Sequence, residues 1–94
     1  MSKSSVAAQD LTEAFFSCLP KGKKQQYSEA QWGATLQQFY KEAGKIRARY
    51  RLGVLGRALT AYHFQKRLFE AGIDSDVVRK VVFSLLLNAF HPGA

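Results

Sequence analysis

Residues 28–50 read SEAQWGATLQQFYKEAGKIRARY, and this stretch decides the fold class of the 94-residue chain. Its apolar side chains recur at alternating intervals of four and three residues, which is the spacing of one buried stripe on an α-helix. The spacing predicts an amphipathic helix over residues 28–50, with Ser28 as its N-cap. The stripe consists of Trp32, Leu36, Phe39, Ala43, Ile46 and Tyr50.

Proline and glycine mark the limits of three further helices. Pro20 ends the first, because proline disfavours helical conformation in the residue before it. Gly53 marks a turn after the quoted segment, and Gly72 has the position of a left-handed C′ residue in a Schellman motif. Asp74 or Ser75 then caps the last helix. The predicted helices span residues 6–18, 28–50, 54–71 and 75–90.

These four helices predict an all-α, compact, four-helix bundle-like single domain over residues 1–94. The composition agrees, because hydrophobic residues make up 47% of the chain and there are only two prolines. We expect the helices over 28–50 and 54–71 to form an antiparallel hairpin. The fourth helix is expected to pack across this hairpin and the first to cover an open side. Residues 1–5 and 91–94 are expected to be flexible tails.

The predicted core takes one face from each helix. The helix over 75–90 is apolar around most of its circumference and therefore needs cover on most sides. That cover comes either from the rest of the chain or from a second copy, in a homodimer formed through residues 75–90. The predicted core residues are Phe15, Trp32, Leu36, Phe39, Ala43, Ile46, Tyr50, Leu55, Leu59, Tyr62, Leu68, Val78, Val81, Val82, Leu85 and Leu86.

The charge of the chain is concentrated in its middle third. The net charge is +7, and residues 41–67 hold eight positive side chains against one acid, Glu42. Such a cluster indicates an acidic partner, namely a protein surface, nucleic acid or, third in rank, an anionic lipid surface. A solvated basic surface explains the cluster equally well. The predicted partner-binding residues are Tyr40, Lys41, Lys45, Arg47, Arg49, Arg51 and Arg57.

The sequence contains no pattern typical of an enzyme or a metal site. The soft metal ligands Cys18, His63 and His91 lack the spacing of a zinc site. Cys18 is most simply a small buried apolar residue, because nothing in the sequence places a base beside it. We therefore expect no catalysis, no metal and no cofactor. The single cysteine and the polar N-terminus, with no transmembrane segment, favour a cytoplasmic protein.

The sequence supports one way of binding nucleic acid better than another. Residues 62–86 have the outline of a helix-turn-helix, but their second helix is too apolar to lie in a groove of DNA. Sequence-independent phosphate contacts need only positioned cations, which residues 41–67 offer. We expect a non-enzymatic binding, adaptor or regulatory protein with an acidic partner. The alternative is a nucleic-acid-binding protein that makes sequence-independent phosphate contacts.

Overall fold

The computed structural model describes residues 2–19 and 29–90, which contain four α-helices. The helices are α1 (Lys3–Cys18), α2 (Glu29–Tyr50), α3 (Val54–Glu70) and α4 (Ser75–Asn88). The predicted all-α, four-helix bundle-like class is confirmed, and every helix limit agrees with its prediction to within three residues. The expected tail over 91–94 and the Ser28 cap lie outside the described residues.

Helix α1 begins earlier than the sequence pattern indicated. Residues 1–5 were expected to be a tail, but the helix starts at Lys3 with Ser2 as its N-cap. The Ser2 hydroxyl accepts a hydrogen bond of 3.1 Å from the backbone N–H of Ser5, which satisfies one of the unpaired donors of the first turn. Ser4 is already buried in this turn. The predicted start was too late because it was placed at the first apolar residue, whereas the cap is the polar Ser2.

A short turn with a left-handed residue joins α2 to α3. Arg51 has φ +52°, and its N–H donates to the carbonyl of Ala48 at 3.2 Å. The N–H of Leu52 donates to the carbonyl of Arg47 at 3.1 Å, which completes a Schellman motif. Leu52 is buried beneath the turn, and Gly53 is the N-cap of α3. The predicted break between the two helices is confirmed.

The turn from α3 to α4 is the Schellman motif that the sequence predicted. Gly72 has φ +85° and donates its N–H to the carbonyl of Phe69 at 3.0 Å. Ile73 donates to the carbonyl of Leu68 at 3.1 Å. The carboxylate of Asp74 then caps α4 by accepting a 3.2 Å hydrogen bond from the backbone N–H two residues later. This tight turn makes α3 and α4 neighbours.

The packing order of the helices differs from the prediction. Helix α1 packs against both α2 and α3, and α4 packs against both α3 and α2. Within the described residues, α2 and α3 do not pack side by side as a hairpin, so that part of the prediction was wrong. The physical reason lies in α1, where Ala7 and Ala8 are completely buried. Their small side chains let the neighbouring backbones come close.

Three phenylalanine rings from three helices meet in the centre of the core. The ring of Phe15 in α1 lies edge-on to Phe39 in α2 at 5.5 Å. It lies edge-on to Phe64 in α3 at 6.2 Å, and the rings of Phe39 and Phe64 stack at 5.6 Å. Edge-to-face and offset contacts of this kind stabilise a core beyond the area they bury. This cluster sets which side of α3 faces inward.

The predicted inward face of α3 was wrong. Leu55, Leu59 and Tyr62 were expected in the core, but all three are exposed. The opposite side of the helix is buried instead, because only that side brings Phe64 to the rings of α1 and α2. The buried residues of α3 are Arg57, Thr60, Ala61, Phe64 and Leu68. Of the other predicted core residues, Trp32, Tyr50 and Leu86 are partly buried and the rest are buried.

Candidate interaction surface

Those predicted binding residues of α2 that are exposed lie on its outward side. Its inward side is formed by the buried residues Leu36, Phe39, Ala43 and Ile46, which places Lys41 and Lys45 on the opposite side of the helix. The Lys45 ammonium lies 3.4 Å from Glu42, and two thirds of the Lys45 side chain is exposed. Lys41 is exposed and forms no ion pair with any acid in residues 2–19 and 29–90.

The last turn of α2 is held to α1 through Asp10. The Tyr50 hydroxyl donates a 2.6 Å hydrogen bond to Asp10 Oδ2. Arg49 Nη1 also donates to this oxygen at 3.4 Å, while 60% of the Arg49 side chain stays exposed. The hydrogen bond to Asp10 raises the pKa of Tyr50, with smaller contributions from burial and from the Asp10 charge. Arg49 therefore contributes to both the fold and the outer surface.

Arg47 is only half-buried and serves the fold directly. Its Nη1 donates a 3.3 Å hydrogen bond to the carbonyl oxygen of Ala89, at the C-cap of α4. A cation is favourable there, because the carbonyl oxygens at the end of a helix carry partial negative charge. One of the predicted partner-binding residues thus already has an acceptor within the chain.

A shallow groove at the end of α2 is lined by both Arg47 and Arg51. It is lined by Gly44, Arg47, Ala48, Arg51 and Leu52. A Cβ added at Gly44 would have no neighbour within 4 Å, so the backbone of α2 is open to close approach here. Arg51 is exposed at the rim of the groove.

Arg57 does not belong to the surface, which corrects its place among the predicted binding residues. It lies on the inward side of α3 and is only 5% exposed. The prediction placed it outside because arginine is almost never fully buried. Tyr40, in α2, is partly buried against the core and presents only part of its ring. Four exposed cations remain, which we call the basic face: Lys41, Lys45, Arg49 and Arg51.

A second surface lies along α3, where Leu55, Leu59 and Tyr62 were predicted to be core residues. Leu55, Leu59, Tyr62 and Phe69 are exposed in one row that also contains the exposed Lys66, and we call this row the α3 stripe. Beside it, a groove between α3 and α4 joins Gln65 to residues of α4. Gln65 is three residues after Tyr62 and four before Phe69, so groove and stripe adjoin. The α4 residues of the groove are Arg79, Lys80, Val82, Phe83 and Leu86.

The described residues contain one cysteine, and their possible metal ligands do not cluster. Cys18 is partly buried, and its pKa is raised first by that burial and second by the charge of Glu42. A raised pKa leaves less of the nucleophilic thiolate at neutral pH. Within residues 2–19 and 29–90, no three histidine, cysteine or acidic side chains are close enough to share a metal ion. None of the helices there has the length and apolar character to cross a bilayer.

Comparison of the chain with protein-family models, with curated protein sequences and with solved structures finds no match.

Proposed function

We propose that this chain is a non-enzymatic binding protein, an adaptor or regulator, whose basic face contacts an acidic surface of a partner protein. The single observation that carries the proposal is the exposure of four cations on the second half of α2 and in the turn that follows it. Among the described residues, Glu42 pairs with Lys45, and Asp10 of α1 pairs with Arg49. Exposed ion pairs of this kind are weak and exchange readily for a better partner.

The engaged arginines favour a protein partner over nucleic acid. Binding to a phosphate backbone gains affinity with each cation that neutralises a phosphate. Here Arg57 is buried and Arg47 is bonded to Ala89, so the row of available cations is shorter than the sequence indicates. The open backbone at Gly44 and the partly exposed ring of Tyr40 add contacts that suit a protein surface.

The experiment compares two doubly substituted proteins of equal charge. Lys41→Glu with Arg51→Glu alters the basic face, whereas Lys3→Glu with Lys80→Glu alters exposed lysines of α1 and α4. Each replacement removes two units of charge, so both proteins have a net charge of +3 instead of +7. Binding of a labelled polyglutamate peptide and of a labelled DNA duplex is followed by fluorescence anisotropy at two salt concentrations.

We expect the basic-face variant to bind polyglutamate at least about 10-fold more weakly than the wild type, since two ion pairs are replaced by repulsions. The control variant should stay within about threefold of the wild type, an effect of net charge alone. Equal loss in both variants would contradict a localised site. Tighter binding to the duplex than to polyglutamate, with a steep salt dependence, would favour the nucleic-acid alternative.

A further inference from the structure

The α3 stripe has the spacing of a helix-pairing seam, although it faces away from the core. Leu55, Leu59, Tyr62, Lys66 and Phe69 follow one another at intervals of four, three, four and three residues. This alternation forms one continuous edge along a helix, and two such edges pack against each other by interlocking side chains. The inward side of α3 already serves this chain's own core, so the seam is available to another helix.

The exposed apolar area is large enough for a stable interface. Leu55 is 73% exposed, Tyr62 59%, Leu59 43% and Phe69 42%. On α4, Phe83 is 65% exposed and Leu87 53%. Fully exposed side chains of this size offer on the order of 150–200 Å² each, so the six together present roughly 600 Å². That is the upper end of what a monomer exposes, and about the apolar share of one side of a standard interface.

We propose that the α3 stripe pairs with the same stripe of a second copy of this chain, in a two-fold dimer whose α3 helices run antiparallel. With the axis at Tyr62, Leu55 meets Phe69 of the partner subunit, so a smaller side chain lies opposite a larger one. Lys66 lies opposite Ala58 of the partner subunit, where its aliphatic stem finds room. The stripe is therefore complementary to itself in this direction, as an interface of two-fold symmetry requires.

The charge within the stripe also selects the antiparallel direction. Lys66 is the one charged residue of the seam between Leu55 and Phe69. In an antiparallel pair centred on Tyr62, the two copies of Lys66 are about 12 Å apart along the axis, beyond a Debye length at physiological salt. A parallel pair would place them side by side. The second copy thus buries the stripe without opposing like charges.

The proposed dimer interface lies on α3, whereas the sequence pattern placed a possible dimer interface on residues 75–90. A homodimer through residues 75–90 was one of two alternatives predicted for covering the apolar α4, the other being cover by the rest of the chain. Helices α2 and α3 instead pack against α4, and Val78, Val81 and Leu85 are completely buried. What α4 retains for a partner is the edge with Phe83 and Leu87, beside the groove that borders the stripe.

The test is the molar mass of the protein in solution as a function of concentration. Light scattering and sedimentation equilibrium of the full chain should show a mass that rises from 10.5 kDa towards twice that value. Tyr62→Glu should weaken the dimer at least about 100-fold, because each copy then brings one carboxylate to the two-fold axis and the two like charges are buried side by side. Phe16→Glu is the matched control, since Phe16 is an exposed apolar residue of α1, and it should dimerise like the wild type. Circular dichroism confirms that both variants are folded.

Salt distinguishes this dimer from binding at the basic face. Two copies of charge +7 repel each other, so added salt should tighten the dimer and weaken binding of an acidic probe. In a Cys18→Ser background with oxidised glutathione added as the oxidant, Tyr62→Cys should also form a disulfide between two copies, and Phe16→Cys should not. A mass of 10.5 kDa up to millimolar concentration would overturn the proposal. So would a dimer that Tyr62→Glu leaves intact, or an absent disulfide at position 62.

Discussion

The Tyr50 hydroxyl donates a 2.6 Å hydrogen bond to Oδ2 of Asp10, a residue forty positions earlier in the chain. The same oxygen accepts a longer bond of 3.4 Å from Arg49. These two contacts attach the last turn of α2 to α1, at the end of α2 that carries the basic face. One carboxylate thus adds a polar contact between α1 and this end of α2, beside the buried apolar contacts of Phe39 and Ile46.

The Tyr50–Asp10 contact predicts a loss of stability at alkaline pH. The hydrogen bond raises the pKa of Tyr50 above its ordinary value of 10.0, so the folded state holds this proton more tightly than the unfolded chain does. The stabilisation is complete below the unfolded pKa and is lost as the pH rises through the folded pKa. Urea denaturation should show that Tyr50→Phe is less stable than the wild type at pH 7, and that the difference shrinks above about pH 10. A difference that stays constant to pH 12 would contradict this.

Arg51 holds a conformation that glycine adopts without cost. Its φ of +52° is the left-handed region, which costs a residue with a Cβ about 1 kcal/mol or more. Arg51→Gly should raise the free energy of unfolding by about 1 kcal/mol. Arg51→Ala is the control, because it removes the same charge but keeps the Cβ. Thermal or urea denaturation that gave both variants equal stability would show that the left-handed turn carries no strain.

The helices of this chain could be predicted from sequence because their ends are local. Gly72 and Asp74 signal a turn whose hydrogen bonds join residues at most five positions apart. The inward side of α3 could not be predicted in this way. Its outward side has the better apolar spacing, while its inward side includes Arg57 and Thr60. Only the long-range contact of Phe64 with α1 and α2 decides between the two sides.

Thr60 is a polar residue placed where an apolar one is expected to be more stable. It is completely buried, and its Oγ1 has no hydrogen-bond partner in the part of the chain that the structure describes. Thr60→Val keeps the shape and removes the hydroxyl, so the free energy of unfolding should rise by about 1 kcal/mol. Thr60→Ser keeps the hydroxyl and loses the methyl group, so the free energy of unfolding should fall by about 1 kcal/mol. A less stable valine variant in urea denaturation would mean that the hydroxyl is satisfied.

The burial of Arg57 separates its role from that of the exposed cations. Arg57→Glu would place a carboxylate at a position that is 5% exposed, and it should lower the free energy of unfolding by about 3 kcal/mol or more. Lys41→Glu, on the outer side of α2, should change it by no more than about 0.5 kcal/mol. Chemical denaturation of the two variants checks this. An Arg57→Glu protein of wild-type stability would contradict the burial of Arg57 and indicate that its side chain is exposed.

The candidate site was predicted in part, for reasons visible in single residues. The helical period correctly placed Lys41 and Lys45 on the outer side of α2, because the buried residues Leu36, Phe39, Ala43 and Ile46 define its inward side. It could not indicate that Arg47 bonds to Ala89 or that Arg49 bonds to Asp10, since both acceptors lie on other helices. Those contacts depend on the packing order of the bundle, which no local pattern encodes.

The most direct test of the proposed binding surface is a nuclear magnetic resonance titration of the ¹⁵N-labelled protein with polyglutamate. Each backbone amide reports separately, so the position of binding is read without any substitution. The proposal predicts that the largest shift changes fall around Lys41, Lys45 and Arg49 of α2 and Arg51 of the following turn, and that they disappear in high salt. Shift changes centred on α3 and α4, or none at all at low salt, would contradict it.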